Sequence, residues 1–314
     1  MLVDNQLKKN IRLIDSKARY DEQCKKLLSN KQILAWILKY CAEEFKECTI
    51  DEIVNYISGE PQIASVGVDA VETAESIKAL ANEDISVNEG KITYDIRFEA
   101  NAPGSDGEII QLIINVEAQN AFKPDYPLLK RAVYYCSRMI SAQKGMEFFN
   151  SEYNKIKKVY SIWICSNPPQ SHRSTITRYR ISEENVIGSV KENKQHYDLM
   201  NIIMLCLGNG DKETDTVIGL LETLLTCRAD SQNRIEILEK EYDIKMSSDY
   251  ESEVAEMCNL SDGVYNNGKF EAKLGSVKSL MTTTGATAEK ALDMLQITGE
   301  ERQIILEKIQ SPNK

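Results

Sequence analysis

The stretch "LIINVEAQNA", residues 112–121, decides the fold. Its period is two: Ile110, Leu112, Ile114, Val116 and Ala118 fall on one side, and Asn115, Glu117 and Gln119 on the other. Such alternation is that of a β-strand with two unlike faces. A strand that only had to be buried has no use for three polar side chains in a row on one face.

The segment before it, "GKITYDIRFEA" (90–100), alternates in the same way, with Ile92, Tyr94, Ile96 and Phe98 against Thr93, Asp95, Arg97 and Glu99. The turn residues "NAPGSDGE" join the two into an antiparallel hairpin. A loop centred near Asp106 makes partner numbers total 212, pairing Phe98 with Ile114, Ile96 with Val116 and Asp95 with Glu117. A slip of one residue would bury the polar face, so the pattern itself selects this register. Two carboxylates directly opposite each other, with Cβ atoms ~5 Å apart, repel at neutral pH and call for a cation. Magnesium suits them, since it takes oxygen ligands from one or two carboxylates and keeps sites for water and phosphate. Gln119, two residues beyond Glu117, is placed to orient a water or a phosphate oxygen. The ordinary alternative for a strand acid is a solvated face with a salt bridge to Arg97 or a nearby lysine.

The rest of the chain supplies a frame. Residues 1–25 read as a polar, poorly ordered segment, and "NKQILAWILKYCAEEF" as a helix whose apolar arc of Ile33, Leu34, Ile37, Leu38, Cys41 and Phe45 takes in Glu44. An acid on that arc is either a site member or a helix-end residue reaching solvent. "TIDEIVNYI" is a second helix with Thr49 and Glu52 in capping-box spacing. Residues 61–90 read as a polar connection, with a helix at 70–81. "YPLLKRAVYYCSRMISAQ" is an amphipathic helix, "KVYSIWICS" a buried strand and "STITRYRI" a fourth strand. "YDLMNIIMLCLG" fits a helix or a strand, and "DTVIGLLETLLTC" a helix. This order gives an α/β core. The domain expectation is a polar segment at 1–25, the α/β domain at 26–230, a charged helix and linker at 231–270, and a helical module at 271–314. In that module Thr287 is a cap and Thr298 with Glu301 a capping box. Its second helix carries Glu289 and Asp293, which suits packing or homo-oligomerisation better than groove reading.

The net charge of −10 argues against a nucleic-acid partner, but the charge is segregated. Between Ala121 and Arg180 eleven Lys and Arg face three Asp and Glu, so that window carries +8. The opening "MLVDNQLKKNIRLIDSK" is charged and without the apolar core of a signal peptide, and the longest apolar run, "LMNIIMLCLG", is too short to span a bilayer, which places the chain in the cytoplasm. The eight cysteines, at 24, 41, 48, 136, 165, 206, 227 and 258, form no CxxC and read as reduced thiols.

The order of a helix with an inward Glu, a strand with Asp, a strand with Glu-x-Gln and a basic helix resembles the PD-(D/E)XK nuclease superfamily. More narrowly it is similar to the recombination-promoting nuclease and transposase branch, through the phrases "NEGKITYDIRF", "INVEAQ" and "YPLLKRAVYYCSRMIS". The resemblance spans roughly residues 25–230. It implies a restriction-endonuclease-like core, with Asp95 and Glu117 as ligands of Mg²⁺ or Mn²⁺, Gln119 in place of the usual lysine, and Glu44 as the helix-borne acid. Tyr94 stands where the motif has proline. Glutamine can hydrogen-bond a water but supplies no charge.

The implied activity is metal-dependent endonucleolytic hydrolysis of DNA, tied to transposition or recombination. Arg131, Tyr134, Arg138, Lys157, Lys158, Arg178 and Arg180 are the expected DNA contacts, forming a positive surface around the carboxylates. The competing reading is a DNA-binding or scaffold protein on a degenerate nuclease fold, without turnover.

Overall fold

The computed structural model describes residues 18–63, 83–86, 90–104, 107–122, 125–208, 216–226 and 231–310. The helix expected at 70–81 and the hairpin tip at Asp106 lie outside the described residues, as do residues 1–17. The chain divides into two compact units, Asp21–Glu256 and a second built mainly from Met257–Lys314.

The first unit holds a six-stranded mixed sheet in the order β1-β4-β5-β6-β8-β7. Its strands are β1 (Ile57–Ile63), β4 (Ile96–Pro103), β5 (Ile109–Ala121), β6 (Lys158–Asn167), β7 (Thr175–Arg180) and β8 (Met200–Cys206). β5, β6 and β8 run parallel, while β1, β4 and β7 are antiparallel to their neighbours. β2 (Glu83–Ser86) and β3 (Gly90–Thr93) form a separate two-stranded ribbon. The expected hairpin register holds: Ile96 pairs with Val116, Phe98 with Ile114 and Ala100 with Leu112. "YDLMNIIMLCLG" resolves as a strand, since β8 continues the parallel, doubly covered part of the sheet, where apolar runs are the rule.

Two strand expectations are corrected. "GKITYDIRFEA" is not one strand: β3 ends at Thr93 and β4 starts at Ile96, with Tyr94 and Asp95 in the break. Tyr94 is fully buried with Ile113, Tyr135 and Trp163, on the opposite side of the sheet from Ile96 and Phe98. Unbroken alternation would have put all three on one side. The start of the connection expected at 61–90 is the end of β1, an edge strand beside β4 that Gly59 and Pro61 conceal, because Pro is tolerated in sheets mainly at edges.

Helices cover both faces. α4 (Leu128–Ser141) lies on the face carrying Ile113, Asn115, Glu117 and Trp163, where Leu128, Ala132, Tyr135, Cys136 and Met139 complete the core. The other face carries Phe98, Ile114, Val116, Tyr160 and Ile162. It meets α2 (Lys31–Cys41) and the 3₁₀ turn Glu43–Phe45: Tyr160 Oη donates to Glu44 Oε2 at 2.7 Å, and Arg178 Nη2 to the Cys41 carbonyl at 3.1 Å. α3 (Ile50–Tyr56) has the expected Thr49–Glu52 capping box. α5 (Val217–Leu225) and α6 (Ser231–Tyr242) follow β8, and α7 (Ser248–Thr284) is a single helix of 37 residues. The segment expected as a charged helix and linker is α6, a short non-helical stretch at 243–247 and the first part of α7. Helix α1, described over 18–28, replaces part of the polar segment expected at 1–25.

In the second unit, α8 (Ala288–Met294) starts at the expected Thr287 cap, and α9 (Gly299–Gln310) follows. Leu274, Val277, Ala291, Leu292, Ile297 and Ile305 form its core. The Glu301 carboxylate accepts from Lys273 Nζ at 2.6 Å, a contact the capping-box reading did not foresee.

Glu44 is built into the face away from Glu117. α2 ends at Cys41 because Ala42 is extended (φ −106°, ψ 127°), so the helical wheel that placed Glu44 beside the inward arc does not reach it. Its carboxylate accepts from Lys158 Nζ at 2.7 Å and from Tyr160, and Lys158 also reaches Asp198 Oδ2 at 2.7 Å. Glu44→Gln should lower stability by about 1–3 kcal/mol, since it leaves a largely buried cation short of one partner. Chemical denaturation of the variant checks this, and an unchanged midpoint contradicts it.

Candidate active site

β5 and the break before β4 bring Asp95 and Glu117 together. The next pair in the 212 register would be Asp95 with Glu117, but the main-chain ladder stops at Ile96 and Val116. Side chains take over the bonding: the Asp95 N–H donates to Glu117 Oε1 at 3.2 Å, and the Ala118 N–H donates to Asp95 Oδ2 at 3.1 Å. Each acid is thus held by the backbone of the other's strand. Asn115 Nδ2 adds a third bond, to Glu117 Oε1 at 3.0 Å. Glu117 is only 3% exposed, whereas the Asp95 side chain is 21% exposed and opens the site to solvent. Gln119 follows on the same face, in register with Cys165.

Two cations attend the pair. Lys25 Nζ lies 2.8 Å from Asp95 Oδ1. Arg131, from the first turn of α4, donates through Nε and Nη2 to Tyr135 Oη (3.1 and 2.7 Å) and through Nη1 to Tyr126 Oη (3.2 Å). Its guanidinium sits over the Trp163 ring, 5.2 Å from the centroid, and its charge favours ionised Glu117. Burial nonetheless pushes the Glu117 carboxyl up from its ordinary 4.5 to about 8, with the Asp95 charge adding to the rise. The hydrogen bonds and Arg131 act in the opposite direction without cancelling it.

The donor set fits a divalent cation that prefers oxygen. Glu117 spends Oε1 on Asp95 and Asn115, so Oε2 can serve as a ligand, and a nearby double charge would favour the ionised carboxylate that burial, and then the Asp95 charge, disfavour. Among the described residues no group of three or more His, Cys, Asp or Glu gathers to hold a metal, so any ion here rests on this pair with amide, backbone or water oxygens.

The remaining expected residues separate. Glu44 stays on the far face with Lys158. Arg178 and Arg180 point to that face too, because they pair with Ile203 and Asn201, and β8 is in register with β6 at Ile162 and Tyr160. Together with Lys194 they surround Glu43, whose carboxyl they hold below the usual range, the Lys194 hydrogen bond contributing most. Lys157 is paired with Glu99 and Glu147. Arg138 is buried, donating to the Tyr134 hydroxyl at 3.2 Å, and Tyr134 is half exposed. Among the described residues the expected DNA contacts are divided between the two faces, because strand parity sends the β7 arginines to one and α4 lies on the other. Lys25 and Tyr126 were missed. The signal for Lys25 lay in Cys24, Leu27 and Leu28, whose spacing marks a helix in a segment dismissed as polar.

Stability should report the Glu117 proton. Below about pH 4.5 folded and unfolded chains both hold it; between 4.5 and about 8 the unfolded chain ionises while the folded one does not, so stability falls as pH rises, then levels off. The total loss is on the order of a few kcal/mol. Mg²⁺ should raise the melting temperature more at pH 8 than at pH 5, and Glu117→Gln should flatten this dependence. Melting curves with and without Mg²⁺ across that range test it; equal shifts at both pH values contradict the assignment.

Comparison with curated proteins and with solved structures gave no match. A family model does match, over residues 86–214, and it is that of the PD-(D/E)XK nuclease family transposase. The matched segment contains Asp95, Glu117, Gln119, α4 and the parallel strands, but neither Lys25 nor Glu44. With its mixed sheet flanked by helices, the segment is a PD-(D/E)XK nuclease-like domain of the transposase branch.

Proposed function

We propose that the protein is a divalent-metal-dependent DNA endonuclease that hydrolyses phosphodiester bonds in transposition or recombination, within the cytoplasm. The observation that carries this reading is the crossed pair of hydrogen bonds that fixes Asp95 and Glu117 side by side at a solvent-open strand end. Asp95 and Glu117 are the residues to hold Mg²⁺ or Mn²⁺; when bound, such an ion contributes charge that stabilises the transition state and acidifies water. Gln119 offers an amide to orient that water, and Arg131 with Tyr126 offers donors to a phosphate at the rim. No described helix is long and apolar enough to cross a membrane.

The grip on DNA in this reading is modest. With Lys158, Arg178 and Arg180 held by acids on the far face, the phosphate contacts fall to α4 and its surroundings. The slope of log affinity against log salt should then be about −1 to −3 rather than the larger value a whole basic block would give. Association of copies through the C-terminal helices is part of the same reading, supported by exposed Met294, Leu295 and Ile304.

A non-catalytic DNA-binding role on the same fold is favoured by one feature, the uncharged Gln119. Nicking of supercoiled plasmid in Mg²⁺ or Mn²⁺ separates the two. Wild-type protein should nick, and Asp95→Ala and Glu117→Gln should each lose at least about 10²-fold. Absence of nicking at high protein concentration, with Gln119→Lys also silent, leaves the non-catalytic role.

A further inference from the structure

The Lys25 side chain is only 12% exposed, an unusual place for a lysine without a purpose. Holding that chain in one conformation costs up to about 2 kcal/mol of rotamer entropy. α1 is seated firmly enough to impose it. Leu27 and Leu28 are fully buried and Gln23 and Cys24 nearly so, which sets the inward stripe of the helix and leaves Lys25 at its border. Two long-range bonds fix the helix further: Tyr250 Oη donates to the Leu27 carbonyl at 3.2 Å, and Gln23 Nε2 to the Glu253 carbonyl at 2.9 Å. The ammonium that results sits against Asp95 Oδ1, the oxygen not used by the Ala118 N–H.

Lys25 forms an ion pair with Asp95, whereas Arg131 acts on Glu117 from a distance and is bonded to two tyrosine hydroxyls. An ammonium has three N–H donors, and one bond to Asp95 leaves others to meet a water or a phosphate oxygen. Lysine serves phosphate as a compact point charge. Gln119, on the same face two residues past Glu117, brings no charge to the same space.

We propose that Lys25 is a positioning residue of this site: from α1, outside the matched segment, it supplies the positive charge that Gln119 lacks, anchoring Asp95 beside the phosphate to be cleaved. The inference rests on the nuclease reading for its function but on the ion pair for its existence. Because the ammonium occupies Asp95 Oδ1, it also competes with a metal for that oxygen, so its removal has two opposite effects.

The test uses the full chain with K25M, K25R and the double variant K25M/Q119K, and two readouts: Mn²⁺ affinity by titration of the metal alone, and plasmid nicking. K25M should bind Mn²⁺ several-fold more tightly, because a neighbouring positive charge is gone, while nicking falls about 10²-fold. K25R should keep most of the nicking, and K25M/Q119K should recover at least a tenth of it by returning a charge from β5. A merely structural lysine would weaken nicking and Mn²⁺ binding together and would not be rescued from position 119. K25M equal to wild type in both readouts overturns the inference, as does a folded K25M/Q119K that stays as inactive as K25M. Should K25M fold poorly, K25R and the double variant decide alone. If wild-type protein nicks nothing, the nuclease reading fails, and the Mn²⁺ titration still judges whether Lys25 shares the site with the metal.

Discussion

The crossed pair of hydrogen bonds, from the Asp95 N–H to the Glu117 carboxylate and from the Ala118 N–H to the Asp95 carboxylate, is the constraint on which the molecule's chemistry depends. β4 and β5 pair in order up to Ile96 and Val116. One step further, a regular strand would carry Tyr94 to the same side as Ile96. The chain breaks instead, Tyr94 turns into the core under α4, and the two carboxylates do what two main chains would have done. A carboxylate that accepts backbone N–H groups is fixed in place. Two of them fixed in contact, one nearly buried, carry a repulsion that the fold does not relieve by itself. The Glu117 carboxyl is pushed up chiefly by its burial, and the Asp95 charge adds to the rise.

The two faces of the sheet handle buried charge differently. On the α2 face, Lys158 lies between Glu44 and Asp198, Tyr160 completes Glu44, and Asn201 Nδ2 donates to Asp198 Oδ1 at 2.9 Å. Each group there has its partners, the usual condition for charges held inside a protein. On the α4 face, Lys25 meets one Asp95 oxygen, Arg131 gives three of its donors to tyrosine hydroxyls, and Glu117 accepts from a backbone N–H and an amide rather than from a cation. The same residue types thus make a strut on one side and a site on the other, and the difference lies in how completely they are matched.

Much of this was legible in the sequence because it follows from period two. The parity of Asn115, Glu117 and Gln119, the register with β4 and the parallel apolar strands are all properties of local pattern. The errors came where a pattern was carried through a break. The α2 wheel turned Glu44 inward, as it is, but could not show that it meets Lys158 and Tyr160 on the side of the sheet opposite Glu117. Extending the strand alternation through Asp95 moved Tyr94 to the wrong face. Summing charge over a window of sequence merged arginines of β7 with those of α4, although strand pairing sends them to opposite sides. Lys25 was invisible for a different reason: its partner is seventy residues away, and no local regularity links a helix in a polar segment to an acid in a strand break.

That distance bears on how such a domain works as a unit. The matched segment, residues 86–214, supplies both carboxylates, but the ammonium beside them comes from α1, whose seat depends in turn on Tyr250 and Glu253 at the start of α7. The site is therefore closed by chain from well before and well after it. A carboxylate pair tolerates this arrangement because Coulombic interaction, unlike a catalytic hydrogen bond, constrains the direction of approach only weakly. A cation can be delivered from any element that reaches the pair at about 3 Å, whereas the position of Glu117 opposite Asp95 is fixed by strand register and can come only from β5.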